Sequence, residues 1–251
     1  MDIKHTAIVI SGGASGMGEA TVRHLAALGA RISILDRDPA RAAIVAKSTG
    51  SLAFPCDVTD ESSLLTALSA AREAHGPARV CINCAGIVQA KRMVGKEGPA
   101  PLSEFEQLLR INLTGTFSLM RLAATAMSTA PPDATGQRGV IINTASIAAF
   151  EGQIGQVAYS ASKGGIVAMT LPAARELARF GIRVMTIAPG LVDTPMFATL
   201  PTAARQQLAE AVPFPKRLAE PGEFARLVEH IIENDMLNGS VIRLDGALRM
   251  A

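Results

Sequence analysis

The chain has 251 residues, 49% hydrophobic and 18% charged, which supplies a large core and leaves no room for extensive disorder. Lys plus Arg (24) against Asp plus Glu (22) gives a formal charge of +2 with no dense basic block, so nucleic-acid binding has no electrostatic footprint. No apolar run reaches the roughly eighteen residues that a membrane span needs, and three cysteines are too few for a disulfide framework.

From the N-terminus onward, short apolar runs ending in Gly, Asp, Asn or Pro alternate with longer stretches at helical spacing. The pattern predicts strands over Thr6–Ile10, Arg31–Leu35, Ser51–Pro55, Val80–Asn83, Val140–Thr144, Arg183–Ala188 and Val241–Leu244. It predicts helices over Gly16–Leu28, Pro39–Lys47, Glu61–His75, Ser103–Thr129, Tyr159–Phe180 and Glu220–Asn234. Near-continuous apolar strands suit burial on both faces, and repeated βα units wind into a parallel, doubly wound α/β sheet with helices on both faces. Ser103 and Glu106 read as an S-x-x-E capping box at the start of the fourth helix. Pro172 is expected to kink the long helix that follows Tyr159. Two irregular stretches, Val88–Pro101 and Leu191–Pro215, read as functional loops at the carboxyl ends of the strands; the second contains one short helix, roughly Thr202–Ala211. The length suits one domain over 1–251, without a linker or repeat. Met1–His5 leads directly into the first strand, so no removable signal is expected, and the low cysteine content points to a reducing, cytoplasmic setting.

After the first strand comes Ser11-Gly12-Gly13-Ala14-Ser15-Gly16-Met17-Gly18 and then a helix. Glycines there allow a tight turn and let a pyrophosphate approach the positive end of the helix dipole. Eighteen residues beyond Gly18, Asp36 ends the second strand, where a carboxylate accepts from both adenosine ribose hydroxyls and repels a 2′-phosphate. This predicts NAD rather than NADP, although Arg37 next door is a competing cation; a turn-forming role for Asp36 before Asp38-Pro39 is the alternative. Asp57-Val58 is placed to meet the adenine, Asn83-Cys84-Ala85-Gly86 to pass under the adenosine half, and Pro189-Gly190 and Thr194 to reach the nicotinamide end. The Cys81-x-x-Cys84 spacing resembles a redox or metal pair, but on a strand the two side chains diverge, so both read as packing residues and no metal is expected.

The only tyrosine, Tyr159, precedes Lys163 by four residues, so the two share a helix face. A phenol with a nearby cation is a plausible general base for an alcohol proton. Ser146, thirteen residues earlier at a strand end, is placed to hold the substrate oxygen. Asn112, polar among apolar helix neighbours, is either a satisfied core amide or a support for a proton relay from Lys163.

These motifs together resemble the short-chain dehydrogenase/reductase family: Ser11 to Gly18, Asn83 to Gly86, Asn112, Ser146, Tyr159 with Lys163, and Pro189-Gly190. The resemblance covers the whole chain and implies a seven-stranded Rossmann sheet, an Asn-Ser-Tyr-Lys tetrad and a homotetramer. Asn143–Phe150, Glu151–Gly165, Gly181–Leu191, Val212–Leu218 and Val241–Ala247 further resemble the type 2 short-chain 3-hydroxyacyl-CoA dehydrogenase subgroup, whose members also oxidise certain hydroxysteroids. That resemblance implies NAD contacts from Ser15, Met17, Asp36, Asp57, Val58, Cys84, Tyr159, Lys163, Val192 and Thr194. It also implies an acyl-CoA substrate and a place in fatty-acid metabolism. Ser11, Cys84 and Ala247 depart from the broader family pattern without removing a catalytic group. With a thioester in view, Gln153 and Gln156 are candidates to bond its carbonyl. Lys91, Arg92 and Lys96 are candidates for the coenzyme A phosphates, or form a solvated cluster. A hydroxysteroid or other secondary alcohol is the alternative substrate, and a non-catalytic NAD-binding scaffold the alternative class, against which the intact tetrad stands.

Overall fold

The computed structural model describes residues 1–96, 98–195 and 202–250. The strands are β1 (Ala7–Ser11), β2 (Arg31–Asp36), β3 (Leu52–Pro55), β4 (Val80–Asn83), β5 (Val94–Gly95), β6 (Gly98–Pro99), β7 (Gly139–Thr144), β8 (Ile182–Pro189) and β9 (Val241–Leu244). The helices are α1 (Gly16–Ala27), α2 (Pro39–Thr49), α3 (Glu61–His75), α4 (Leu102–Leu109), α5 (Gly115–Ser128), α6 (Val157–Leu177), α7 (Thr202–Glu210) and α8 (Pro221–Glu233).

Seven strands form one parallel sheet in the order β3-β2-β1-β4-β7-β8-β9, as expected, with β5 and β6 as a small separate hairpin. Alternate strand residues feed two cores. Ile8, Ile10, Ile82, Ile142 and Ile187 pack on one face under α1, α2 and α8. Val9, Cys81, Ile141 and Val184 pack on the other under α3, α5 and α6. Cys84 packs with the first core and Cys81 with the second, so the two sulfurs diverge as their strand position requires.

The strand and helix boundaries fall within a few residues of those expected, with two differences. The predicted single helix over Ser103–Thr129 contains a π-helical turn at Arg110–Thr114 between α4 and α5. It places Asn112, fully buried, where the helix backbone widens. The Ser103 capping box is not formed: the cap is Pro101, whose fixed φ suits the extended residue before a helix, and Ser103 lies inside the first turn. Helix α6 continues through Pro172 to Leu177 without interruption.

At the amino ends of the strands, Arg183 is a buried cation on β8, 5% exposed. Its guanidinium donates to the carbonyls of Ile231 (2.9 Å), Ile232 (2.9 Å) and Leu237 (2.8 Å), closing the carboxyl end of α8. Arg183→Met would leave those acceptors buried and unpaired, so we expect a loss of about 3 kcal/mol in denaturant unfolding. The residue lies at the strand ends opposite those that carry Tyr159's neighbours, so turnover of the folded variant should equal wild type. A stability change below about 1 kcal/mol would contradict this capping role.

Candidate active site

The carboxyl ends of β1, β2, β4, β7 and β8 open into a cleft of about 650 Å³. The cleft is lined by Gly12, Ser15, Gly16, Met17, Gly18, Asp36, Asp57, Val58, Cys84, Ala85, Gly86, Ser146, Tyr159, Lys163, Pro189, Gly190, Val192 and Thr194, all of them expected from sequence. Ser11 and Asn83 are buried behind its wall. The Ser11 hydroxyl accepts from the Ala85 amide at 3.4 Å, and the Asn83 amide donates to Asn143 Oδ1 at 2.9 Å across the paired strands. These two hold the floor in register.

The first βα turn depends on missing side chains. A Cβ at Gly12 would lie 2.7 Å from the Ala85 nitrogen, and one at Gly18 would run into the Gly12 carbonyl. The result is a bare backbone cradle at the amino end of α1, where phosphate is favoured. Asp36 is fixed at the cradle's edge: its two carboxylate oxygens accept from the amides of Ala14 and Asp38, each at 3.0 Å. Asp57 Oδ1 accepts from the amide and hydroxyl of Thr59, both at 2.8 Å, which orients the exposed carboxylate at the cleft edge. At the other end, a Cβ on Gly190 would meet the Asp245 Cβ at 2.9 Å. Close approach to the segment after β9 thus sets the path of Pro189-Gly190.

Ser146 ends the extended segment after β7, and its hydroxyl accepts from the Ala148 amide at 3.1 Å. Tyr159 lies in the first turn of α6. Burial pushes its phenol above the ordinary value, and a hydrogen bond with Ser146 pulls it back. Lys163, one turn on, is 6% exposed; its ammonium donates to the Thr144 carbonyl at 2.8 Å and stands 5.9 Å from the centre of the Tyr159 ring. Burial brings its pKa down to about 8, with Cys84 opposing. Asn112 accepts from the Ile87 amide at 2.8 Å and donates to the Ile87 carbonyl (2.9 Å) and Ser162 Oγ (3.1 Å). Ser162 in turn donates to the Tyr159 carbonyl at 2.7 Å. The widened turn thereby ties the wall at Gly86-Ile87 to the helix that carries Tyr159 and Lys163.

Several residues in or behind the cleft were not legible in the sequence. Gln107, Arg110 and Ile111 line it from α4 and the π turn; their i, i+3, i+4 spacing marks one helix face but not what that face meets. Ser162 and the Thr144 carbonyl act through position alone. Gln156, expected at the substrate, is not part of the cleft lining; its Oε1 accepts from the Gln153 amide at 2.9 Å. Lys91 is paired with Glu104 at 2.5 Å, whereas Arg92 and Lys96 are exposed. Cys81 is buried and Cys84 half-buried at the cleft wall, and desolvation pushes their pKa values up to about 12 and about 11. Of the Leu191–Pro215 loop, residues 196–201 lie outside the described part.

A Rossmann sheet whose carboxyl-end cleft holds a glycine cradle and a Ser, Tyr and Lys cluster defines a nicotinamide-dependent dehydrogenase acting on CH–OH groups. The model of the short chain dehydrogenase family matches residues 6–205, and the chain belongs to that family. It is 54% identical over 252 residues to the 3-hydroxyacyl-CoA dehydrogenase type-2 of Bos taurus, covering 99% of this chain and 97% of the relative. The crystal structure of 3-hydroxyacyl-CoA dehydrogenase type-2 from Mycobacterium avium superposes with a TM-score of 0.94 at 40% identity, covering 98% of this chain and 96% of that one. That of a 3-ketoacyl-(acyl-carrier-protein) reductase from Brucella melitensis, complexed with NADH, gives 0.87 at 27% identity over 99% of this chain and all of that one. The cofactor that the family implies fits the residues present, since one cleft runs from Gly12, Ser15 and Gly16 at the amino end of α1 past Asp36 to Ser146, Tyr159 and Lys163.

The Lys163 shift predicts a pH signature in stability. Between about 8 when folded and the ordinary 10.5, the unfolded chain holds a proton that the folded chain has released. Stability therefore rises with pH across that window, and at lower pH the folded protein bears the full cost of the buried charge. Urea unfolding of wild type and Lys163→Met should show a wild-type-minus-variant difference that grows from about pH 8 to about pH 10. A flat or falling difference would show that Lys163 keeps an ordinary proton affinity.

Proposed function

We propose that this protein is an NAD-dependent 3-hydroxyacyl-CoA dehydrogenase, oxidising the 3-hydroxy group of an acyl-CoA thioester to the 3-oxo group. The observation that carries the reading is the set Ser146, Tyr159 and Lys163 at the carboxyl ends of the sheet, facing the same cleft as the glycine cradle. The likeness of the whole chain to type-2 3-hydroxyacyl-CoA dehydrogenases supports the substrate class.

Bound NAD supplies the hydride acceptor and, while oxidised, a positive charge. Ser146 holds the substrate hydroxyl beside Tyr159, whose phenolate takes the O–H proton as the carbon gives up its hydride. A phenol is neutral at neutral pH and burial makes its ionisation harder still, so a positive charge must help it ionise. The Lys163 ammonium is mostly protonated at neutral pH and is held by the Thr144 carbonyl, one helical turn from Tyr159. In this reading it favours the phenolate and binds the nicotinamide ribose, while Asn112 supports the route by which the proton leaves. Gln156 keeps an amide free to donate to the thioester carbonyl, since only its oxygen is taken by Gln153.

In this reading NAD is preferred over NADP, because the Asp36 carboxylate, fixed at the cleft edge by two backbone amides, would repel a 2′-phosphate. Arg37 also lines the cleft but follows that carboxylate. Residues 1–251 act as one domain with substrate loops at 88–101 and 191–215, in a cytoplasmic homotetramer of fatty-acid metabolism.

The test is NADH formation from 3-hydroxybutyryl-CoA, as both enantiomers, beside free 3-hydroxybutyrate and a 17β-hydroxysteroid. Thioester turnover should exceed that of the other alcohols, and Tyr159→Phe should lower kcat by about a thousandfold or more while NAD still binds. An inert thioester beside an oxidised steroid overturns the substrate class; full activity of Tyr159→Phe overturns the mechanism. The second expectation concerns the cofactor: kcat/KM should favour NAD, and Asp36→Ser should narrow the NAD:NADP ratio by about tenfold or more. A wild type that uses NADP better would refute the role of Asp36.

A further inference from the structure

The segment Val88–Pro101 is anchored firmly at its root. It leaves the cleft wall at Ile87, whose amide and carbonyl both bond to the Asn112 side chain. Gln89 and Lys91, two residues apart on an extended leg, point to one side, and both donate to Glu104 in the first turn of α4. Gln89 Nε2 reaches Oε2 at 2.9 Å and Lys91 Nζ reaches Oε1 at 2.5 Å. The Lys91 amide donates to the Gly155 carbonyl at 2.8 Å, fixing the leg beside the turn that precedes α6. Beyond this point the chain folds into the β5–β6 hairpin, with Arg92 and Lys96 exposed.

Lys91, one of three cations in this stretch, is thus engaged within the protein. Its partner Glu104 is shared with Gln89, so one carboxylate sets the direction in which the leg leaves the cleft. Resting on the acyl-CoA reading above, we propose that Glu104 is a positioning residue for substrate. Through Gln89 and Lys91 it aims the insert so that Arg92 and Lys96 meet the phosphates of the coenzyme A nucleotide. The chemistry recognised is a multiply charged phosphate group carried far from the reacting carbon, which affects binding of the thioester and not the hydride step.

The experiment compares 3-hydroxybutyryl-CoA with the same acyl group on N-acetylcysteamine, a thioester without phosphates, using the full-length wild type and Glu104→Gln. With the coenzyme A ester, the variant should raise KM by about fivefold while kcat and the KM for NAD stay within about twofold. With the truncated thioester the two enzymes should be indistinguishable. A third protein, the Lys91→Glu/Glu104→Lys exchange, restores an ion pair with reversed sense and should recover most of the lost affinity for the coenzyme A ester. Equal effects of Glu104→Gln on both thioesters, or none on either, would overturn the positioning role while leaving the acyl-CoA reading intact. So would a wild type that takes both thioesters with the same kcat/KM. Wild-type turnover of neither thioester would overturn the acyl-CoA reading, and this proposal with it.

Discussion

In a parallel sheet covered by helices on both faces, interior amides and carbonyls are already paired, and the only open backbone lies where strands stop. Here the strands stop together, because the register aligns Ser11 with Asn83 and Asn83 with Asn143. The chain runs outward from β1 through β2 and β3, then returns to β4 on the other side of β1. At that reversal neighbouring connections diverge, and the gap between them is the cleft. The cradle, the Asp36 carboxylate and Ser146 therefore face a common space because of strand order.

Two buried cations illustrate how the same fold uses charge at its two ends. Among the described residues, Arg183 and Lys163 are the buried bases, 5% and 6% exposed. Arg183 meets three carbonyls that α8 and the following turn leave unpaired, and a guanidinium that does not release its proton suits a permanent cap. Lys163 bonds to one carbonyl only, and burial brings its pKa to about 8. An ammonium so poised is still charged at neutral pH yet sensitive to any charge placed beside it. One arrangement closes a helix; the other leaves a cation near a phenol whose ionisation burial makes harder.

The parts of this site that were legible in the sequence are those whose chemistry is local in the chain. Glycines between a strand and a helix, a carboxylate at the next strand end and a Tyr and Lys four apart each have a meaning fixed by backbone geometry. The alternation of strand residues likewise separates Cys81 from Cys84 before any coordinates are known. The π turn around Asn112 was not legible, because apolar spacing over Leu102–Ser128 is nearly the same with or without one extra residue in the turn. Ser162 was missed for a related reason: its value lies in joining Asn112 to the Tyr159 carbonyl, residues of two different helical segments. The apparent capping box at Ser103 shows the reverse error, a local pattern that misses the helix start by two residues because Pro101 had already set the entry angle.

The same distinction separates chemistry from selectivity. The polar side chains at the strand ends are held by backbone: Lys163 by the Thr144 carbonyl, Ser146 by the Ala148 amide. The loops around them are held by ion pairs. Arg243 on β9 makes two 2.8 Å bonds to Glu151, just beyond Ser146, and a third of 2.6 Å to Asp245, whose Cβ sits against Gly190. A single exposed pair adds little stability, but a shared guanidinium between two carboxylates fixes direction as well as distance. Such ties can be exchanged in sign or partner without disturbing the sheet, whereas the cradle and the buried lysine cannot. Substrate choice is therefore free to vary at the rim of a site whose reaction is fixed by the strand ends beneath it.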